Sequence, residues 1–279
     1  MTTEKKDIPL VTDIMAVMER WAPEALAEHW DNCGLQVGSR HWPVKKIWVA
    51  LDPLYSVISA AARNAVDLVI THHPLTIKPI RTIDVDMPLG KVIEKAITTQ
   101  TAIFAAHTNL DSAADGINDI LSQAIGMTEC VAMVPAADQT GAQEGPKTGL
   151  GRFGRLRPAM SVEQLVQKIK AALDIDTVKV AGNRDLMLTR VAVCSGGGGS
   201  LLDTFFRSDA QAYICGDMRY HDARPTEDAG KVLIDVGHFP SEHIVVDALA
   251  ERLRHEMAGC CWSVQVEACS LEKEPFEIV

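Results

Sequence analysis

Residues 67–75 read DLVITHHPL: an apolar run too short for a helix, closed at once by two histidines and a proline. Two further stretches repeat the design, TAIFAAHTNLD at 101–111 and VLIDVGHFPSE at 232–242. Runs of this kind, apolar throughout rather than alternating, are the mark of strands buried on both faces, and such strands occur in parallel sheets covered by helices. Helical segments lie between them. IWVALD (47–52) predicts a strand ending in Asp-Pro, YSVISAAARNA (55–65) a helix, LVIT (68–71) a strand, KVIEKAI (91–97) a helix, AIFAA (102–106) a strand and INDILSQAI (117–125) a helix. Upstream, residues 10–29 predict an amphipathic helix or helix pair broken at Pro23, and WDNCGLQVG (30–38) an irregular connection.

The stretch PAADQTGAQEGPKTGLG, around 135–150, is polar, glycine-rich and without period, and predicts a boundary or surface loop. A second series follows it. SVEQLVQKIKAAL (161–173) has Ser161 as N-cap and Gln164 at the capping-box position. VAVC (191–194), a glycine run, LLDTFF (201–206) and AYIC (212–215) repeat a strand–turn–helix–strand rhythm. VLIDV (232–236) leads to a last helix at 241–257, and VQVEACS (264–270) to an edge strand. The fold class expected is α/β, in two different domains with mixed, largely parallel sheets.

Composition narrows the functional classes. The chain has 279 residues, a size for about two domains. Lys and Arg number 27 against 37 Asp and Glu, a formal charge of −10. That disfavours direct nucleic-acid binding, which needs clustered positive charge. The three arginines of LGRFGRLR (150–157) are read as a solvated turn. Seven cysteines without Cys-x-x-Cys spacing make neither a disulfide framework nor a zinc-finger pattern, so reduced thiols in a cytoplasmic protein are expected. MTTEKKDIPLVTDIM has no apolar signal-like core, and no stretch is long enough to span a membrane.

The three strand-end motifs carry the chemistry. His72, His73, His107, Asp111, His238 and Glu242 offer mixed nitrogen and oxygen donors, enough for more than one divalent ion, and the set suits Zn, Fe, Mn, Co or Ni better than Ca or Mg. In open α/β sheets ligands bind beyond the carboxyl ends of the strands, where these motifs lie. His107 and Asp111, like His238 and Glu242, are four residues apart. With Pro240 just inside a helix start, Glu242 falls in the first turn, where the helix dipole favours a carboxylate that is able to bridge two ions. His72 and His73 diverge as neighbours, each serving a different ion or one of them being structural. Taken singly, each motif has a packing account: a His-Pro turn, a helix N-cap, a loop into a capped helix. Together the three point to metal.

Three other stretches have two readings each. CSGGGGSLL (194–202) lacks the Lys-Ser/Thr of a phosphate loop and the third glycine of a dinucleotide fingerprint, so a permissive turn is preferred to an anion site. GDMRYHDA (216–223) is a solvated turn or a proton relay through His221, which titrates near neutrality. Asp31 and Asn32 either belong to a plain turn or line the cleft.

WDNCGLQVG, THHPL, HTNLD, GLGRFGRL, GDMRYHDA and GHFPSE occur in the order found in the NIF-three-like (NGG-interacting factor three-like) dinuclear-metal proteins, often labelled GTP cyclohydrolase type 2 homologues, and the chain resembles them over roughly 10–260. The resemblance implies two α/β domains, the first completed by the C-terminal segment: 1–130 plus 235–279 binding metal, and 131–234. It implies a toroidal homo-hexamer. It implies that His72 and His73 bind different ions of a pair, that Asp111 and His238 are ligands, that Glu242 bridges, and that His107 is auxiliary. Pro240 and the pair Thr76-Ile77 depart from the family pattern without removing a ligand. The function expected is a dinuclear divalent-metal protein, hydrolase-like, acting on a nucleotide, phosphoester or cyclic amide, with Glu242 and His221 as catalytic groups. The alternative is a metal-handling or scaffold protein without turnover.

Overall fold

The computed structural model describes residues 8–137 and 147–277. Part of the boundary loop read at 135–150, and the first seven residues, lie outside the described residues. The chain divides into two compact units, 1–110 with 245–273, and 111–244 with 274–279. The divisions therefore fall at 110/111 and 244/245, where the sequence placed them at 130/131 and 234/235.

The first unit is built on a five-stranded sheet. Its strands are β1 (Gly34–Val37), β2 (Lys46–Ala50), β3 (Leu68–Thr71), β4 (Ala102–Ala105) and, near the C-terminus, β11 (Gln265–Ala268), in the order β1-β4-β3-β2-β11. All neighbours are parallel except β1, which runs antiparallel to β4. Every residue of β3 and β4 is buried, as the uninterrupted apolar runs require. Helices α2 (Tyr55–Arg63) and α3 (Pro88–Thr98) place Val57, Ile58, Ala61, Val92, Ile93 and Ala96 in one core with Trp48, Val69 and Ile103. Ile47, Leu68 and Ile70 alternate with those strand residues and are buried on the opposite face. Before them comes α1 (Val11–Trp21), ended by Ala22-Pro23, with Val11, Ile14, Val17 and Met18 buried at helical spacing. The tail forms the edge strand expected of it. The segment 30–38, expected to be irregular, contains β1; four residues holding one glycine and one glutamine carry no strand signal, and pairing with β4, distant in sequence, creates the strand.

A short helix α4 (Thr108–Ser112) and α5 (Ile117–Ala124) lead into the six-stranded sheet of the second unit. It consists of β5 (Met127–Pro135), β6 (Gly149–Ser161), β7 (Lys179–Gly182), β8 (Met187–Gly197), β9 (Ala212–Gly216) and β10 (Val232–Asp235), in the order β5-β6-β8-β9-β10-β7. β8, β9 and β10 are mutually parallel, and the remaining pairings are antiparallel. One face buries Val191, Val193, Ile214 and Ile234 with Leu121 of α5 and with Leu165 and Ile169 of α6 (Val162–Leu173). The other buries Ala192, Tyr213 and Leu233 with Leu202 and Phe205 of α7 (Leu202–Arg207). The capping box of α6 is complete: Gln164 N donates to Ser161 Oγ at 3.2 Å and Ser161 N to Gln164 Oε1 at 2.9 Å. α8 (Tyr220–Asp228) precedes β10, and α9 (His238–Gly259) follows it.

The arginine-rich stretch is not a turn but the strand β6, and its first arginine is buried. Arg152, 1 % exposed, donates to both carboxylate oxygens of Asp119 at 2.6 and 2.9 Å and to the carbonyls of Gly149, Gly151 and Ala113 at 2.6, 2.9 and 2.9 Å. These bonds use its whole donor fork, which lets a cation sit in the interior. Arg155 and Arg157 are solvated beside Glu129.

Candidate metal centre

In the first unit the site follows from strand register. Ala50, Thr71 and Ala105 stand level across the parallel strands β2, β3 and β4. Asp52, His73 and His107 each lie two residues beyond that line, and His72 one, so their side chains gather at the carboxyl end of the sheet. The rings of His72, His73 and His107 have centroids 5.1, 5.2 and 5.7 Å apart, and their ligand atoms lie within 4.8 Å of one another.

Each ring is fixed through Nδ1. His72 Nδ1 donates to Ala106 O at 2.9 Å, His73 Nδ1 to Asp52 Oδ1 at 2.8 Å, and His107 Nδ1 to Asp31 Oδ1 at 2.9 Å. Partners on Nδ1 choose the tautomer and make Nε2 the nitrogen able to ligate, the arrangement that commonly stands behind metal-bound imidazoles. The Asp31 side chain is fully buried. Burial alone would raise its pKa, but hydrogen bonds from His107 and Thr108, with the charge of His107, hold the carboxyl well below the usual carboxylate range. Its neighbour Asn32 turns away and donates to Thr76 O at 2.7 Å and Gln36 Oε1 at 3.0 Å, outside the histidine group.

The second unit collects its own set at the carboxyl ends of β8, β9 and β10. Gly237, at φ +88, turns β10 into α9, so His238 opens the helix and Glu242 lies one turn on. His238 Nε2 is 3.0 Å from Glu242 Oε2, and His238 Nδ1 is 2.7 Å from Asp217 Oδ2. The hydrogen bond that His238 donates to Glu242 raises the pKa of His238, burial opposes it, and the charge of Glu242, then the hydrogen bond to Asp217 and its charge, add to the rise, to about 9. Glu242 is 4 % exposed, so its carboxylate is committed to this place.

The glycine run borders the same spot. Gly196 has φ +60, and a Cβ there would meet Glu242 Oε1 at 2.0 Å and His238 Nε2 at 3.2 Å. Its N–H donates to Ser241 Oγ at 2.9 Å, and Ser241 Oγ donates to His238 O at 2.7 Å. Asp111 accepts from Ser195 Oγ at 3.4 Å, while Asn118 donates to Asp111 O at 3.0 Å and accepts from Ser195 N at 2.9 Å. The run is the end of β8 followed by a 3-10 helix at Gly198–Leu201, where the sequence reading expected a turn, and a side chain at 196 would enter the space of the His–Glu pair.

His221 is exposed on α8, edge-on to Tyr220 with ring centroids 5.3 Å apart. From GDMRYHDA it is Asp217 that touches a site histidine. Sequence reasoning passed over Asp52, although it ends the strand beside β3 and the same strand-end rule would have found it. It also passed over Asn118 and Ser195, polar residues buried by tertiary packing, which no local pattern distinguishes.

A sequence profile described as Duf34/NIF3 (NGG1p interacting factor 3) matches residues 9–275. A protein of Clostridium perfringens named GTP cyclohydrolase 1 type 2 homolog is 30% identical over 269 residues, 96% of this chain and 99% of its own. A namesake from Clostridium acetobutylicum is 32% identical over 243 residues, 87% of this chain and 89% of its own. Among solved structures, a Bacillus cereus protein related to NIF3 superposes with a TM-score of 0.89 at 25% identity, covering 98% of this chain and 100% of that one. Reduced HcgD from Methanocaldococcus jannaschii superposes at 0.79 with 27% identity, over 94% of this chain and 98% of that one.

Proposed function

The chain belongs to the Duf34/NIF3 family, and from that premise we propose that it is a dinuclear divalent-metal protein with hydrolase-like activity on a nucleotide, phosphoester or cyclic amide. The observation that carries the reading is the donor set. His72 and His73 present Nε2 from rings fixed at Nδ1, and Glu242 is a buried carboxylate against His238. Neutral imidazole and carboxylate suit a borderline transition ion, and the Nδ1 partners raise ligand basicity. The donors fit the group. In this reading His72, His73, Asp111, His238 and Glu242 hold two ions, with Glu242 as the bridge.

Bound divalent ions supply Lewis acidity and make water a stronger nucleophile near neutral pH. The chain's own residues do the rest. Asp52 and Asp217 orient His73 and His238, and Asn118 and Ser195 steady the segment that carries Asp111. Gly196 keeps the approach to Glu242 narrow and free of side chain. His221, solvent-exposed on α8, is assigned the exchange of protons with water. The names of the relatives favour a purine nucleotide among the three substrate classes. A toroidal homo-hexamer in the cytoplasm completes the reading; among the described residues no helix is long and apolar enough to cross a membrane.

The test is metal analysis of the purified protein followed by turnover assays on GTP, on phosphoesters and on cyclic amides. Two ions per protomer, lost in Glu242→Ala and His73→Ala together with any turnover, support the proposal. Unchanged metal content in both variants overturns the ligand set. Labile ions that pass to an apo-acceptor, without turnover on any substrate, favour metal handling instead.

A further inference from the structure

We propose that Trp30 is a substrate-recognition residue, a platform on which a flat heteroaromatic ring of nucleobase type stacks beside the histidines of the first unit. The proposal rests on the metal-binding reading above and narrows its substrate class. Of the three histidines, His72 is fully buried, while the side chains of His73 and His107 are 21 % and 14 % exposed. Solvent therefore reaches the group through those two rings. Trp30 stands edge-on to His107, with ring centroids 6.1 Å apart and planes at 75°. A molecule that approaches His107 from solvent comes within reach of the indole.

The backbone of Trp30 is fixed, although its ring is not buried. It occupies the third place of a turn closed by Asp31 N, which donates to Glu28 O at 2.9 Å. Both ends of that turn are tied to Thr108, the neighbour of His107: Glu28 N donates to Thr108 Oγ1 at 2.9 Å, and Thr108 N to Asp31 Oδ2 at 3.0 Å. The Asp31 side chain is fully buried, yet Trp30 is 48 % exposed. A single exposed apolar side chain is ordinary on a protein surface. One whose turn is held at two points by the end of β4, and whose ring meets a site histidine, is placed for a ligand. Its Nε1–H has no hydrogen-bond partner among the described residues, whereas that of Trp48 donates to Glu267 Oε2 at 2.8 Å. The indole face sets the chemical class. It is wide and uncharged, so it holds flat rings by stacking and gives nothing to a bare phosphate or a sugar. A nucleotide has such a ring, and an aliphatic phosphoester does not.

The test uses the full chain loaded with zinc, with guanosine, GTP and ribose 5-phosphate as probes. In protein labelled with ¹⁵N-tryptophan, the Trp30 indole resonance is the one missing in Trp30→Phe. Guanosine and GTP are expected to shift it, and ribose 5-phosphate to leave it in place. Trp30→Ala is expected to weaken guanosine binding by about 5–100-fold, the loss of one stacking face, and Trp30→Phe, which keeps a ring, by less. Zinc content is expected to be unchanged in both variants, which separates stacking from a role in metal binding. Should Trp30→Ala not fold, the wild-type spectra decide. A Trp30 resonance unmoved by guanosine and GTP, or moved equally by ribose 5-phosphate, overturns the proposal, as does wild-type guanosine affinity in Trp30→Ala. If zinc is bound by the wild type and lost in His73→Ala while Trp30 stays unmoved, only this inference fails; a wild-type protein that binds no zinc or other divalent ion overturns the proposed function and this inference with it.

Discussion

Asp217 Oδ2 lies 2.7 Å from His238 Nδ1, and Asp217 holds that position from a left-handed backbone conformation at φ +57, directly after Gly216. A non-glycine residue in that region costs on the order of 1–3 kcal/mol and persists where the surroundings enforce it. Here it aims a carboxylate at the outer nitrogen of a proposed ligand. Asp217→Ala is expected to lower metal affinity by about 10–100-fold, as outer partners of ligating histidines commonly do. Asp217→Asn keeps an acceptor, tolerates the conformation and is expected to lose less. Competition with a chelator measures both.

Metal affinity is expected to depend on pH through His238. Its pKa in the metal-free protein is raised to about 9, by Glu242 first, so the ring carries a proton at Nε2 below that value. A cation binding at Nε2 must displace this proton. Affinity therefore rises with pH up to about 9 and levels off beyond, by up to about tenfold per pH unit for the one proton. Calorimetry in buffers of different ionisation enthalpy should record that proton release at pH 7.5. Affinity flat between pH 7 and 9 would contradict it.

Gly196→Ala is expected to damage the site more than the fold. The backbone at φ +60 adds strain of roughly 1–3 kcal/mol, and the new methyl must push against Glu242. Loss of metal at moderate concentration, with cooperative unfolding retained, is the expected outcome. Gly197→Ala is the control, because a Cβ there finds only Asp217 Oδ2 at 4.0 Å.

Arg152 should prove a stability determinant. Arg152→Met leaves Asp119 without its bidentate partner and removes a guanidinium donor from three carbonyls. Removal of one member of a buried pair costs about 3–5 kcal/mol. Arg152→Lys is expected to recover only part of this, since a point-charge ammonium cannot reproduce the planar fork. Urea unfolding monitored by circular dichroism gives the values; a change below about 1 kcal/mol for Arg152→Met would refute the account.

What local sequence determined is the type of element and the residues that stand at strand ends. LVIT and AIFAA admit few structures other than buried strands, and whatever follows such a strand lies at the carboxyl end of the sheet. That logic placed His72, His73, His107 and His238 before any contact was known. Tertiary structure decided what depends on pairing between distant segments. It made a strand of Gly34–Val37 against β4, and it levelled β2, β3 and β4 so that Asp52 reaches His73. It took Arg152 into the interior, where Asp119 and Ala113, distant in sequence, take three of its five donors. It gave Asp217 rather than His221 the contact with His238, because only the meeting of the β9 and β10 ends, through the close backbones of Gly216 and Gly237, sets which side chain of that motif faces the ring. Periodicity and end position are properties of a segment; register, burial of charge and the outer nitrogen of each histidine are properties of the packed chain.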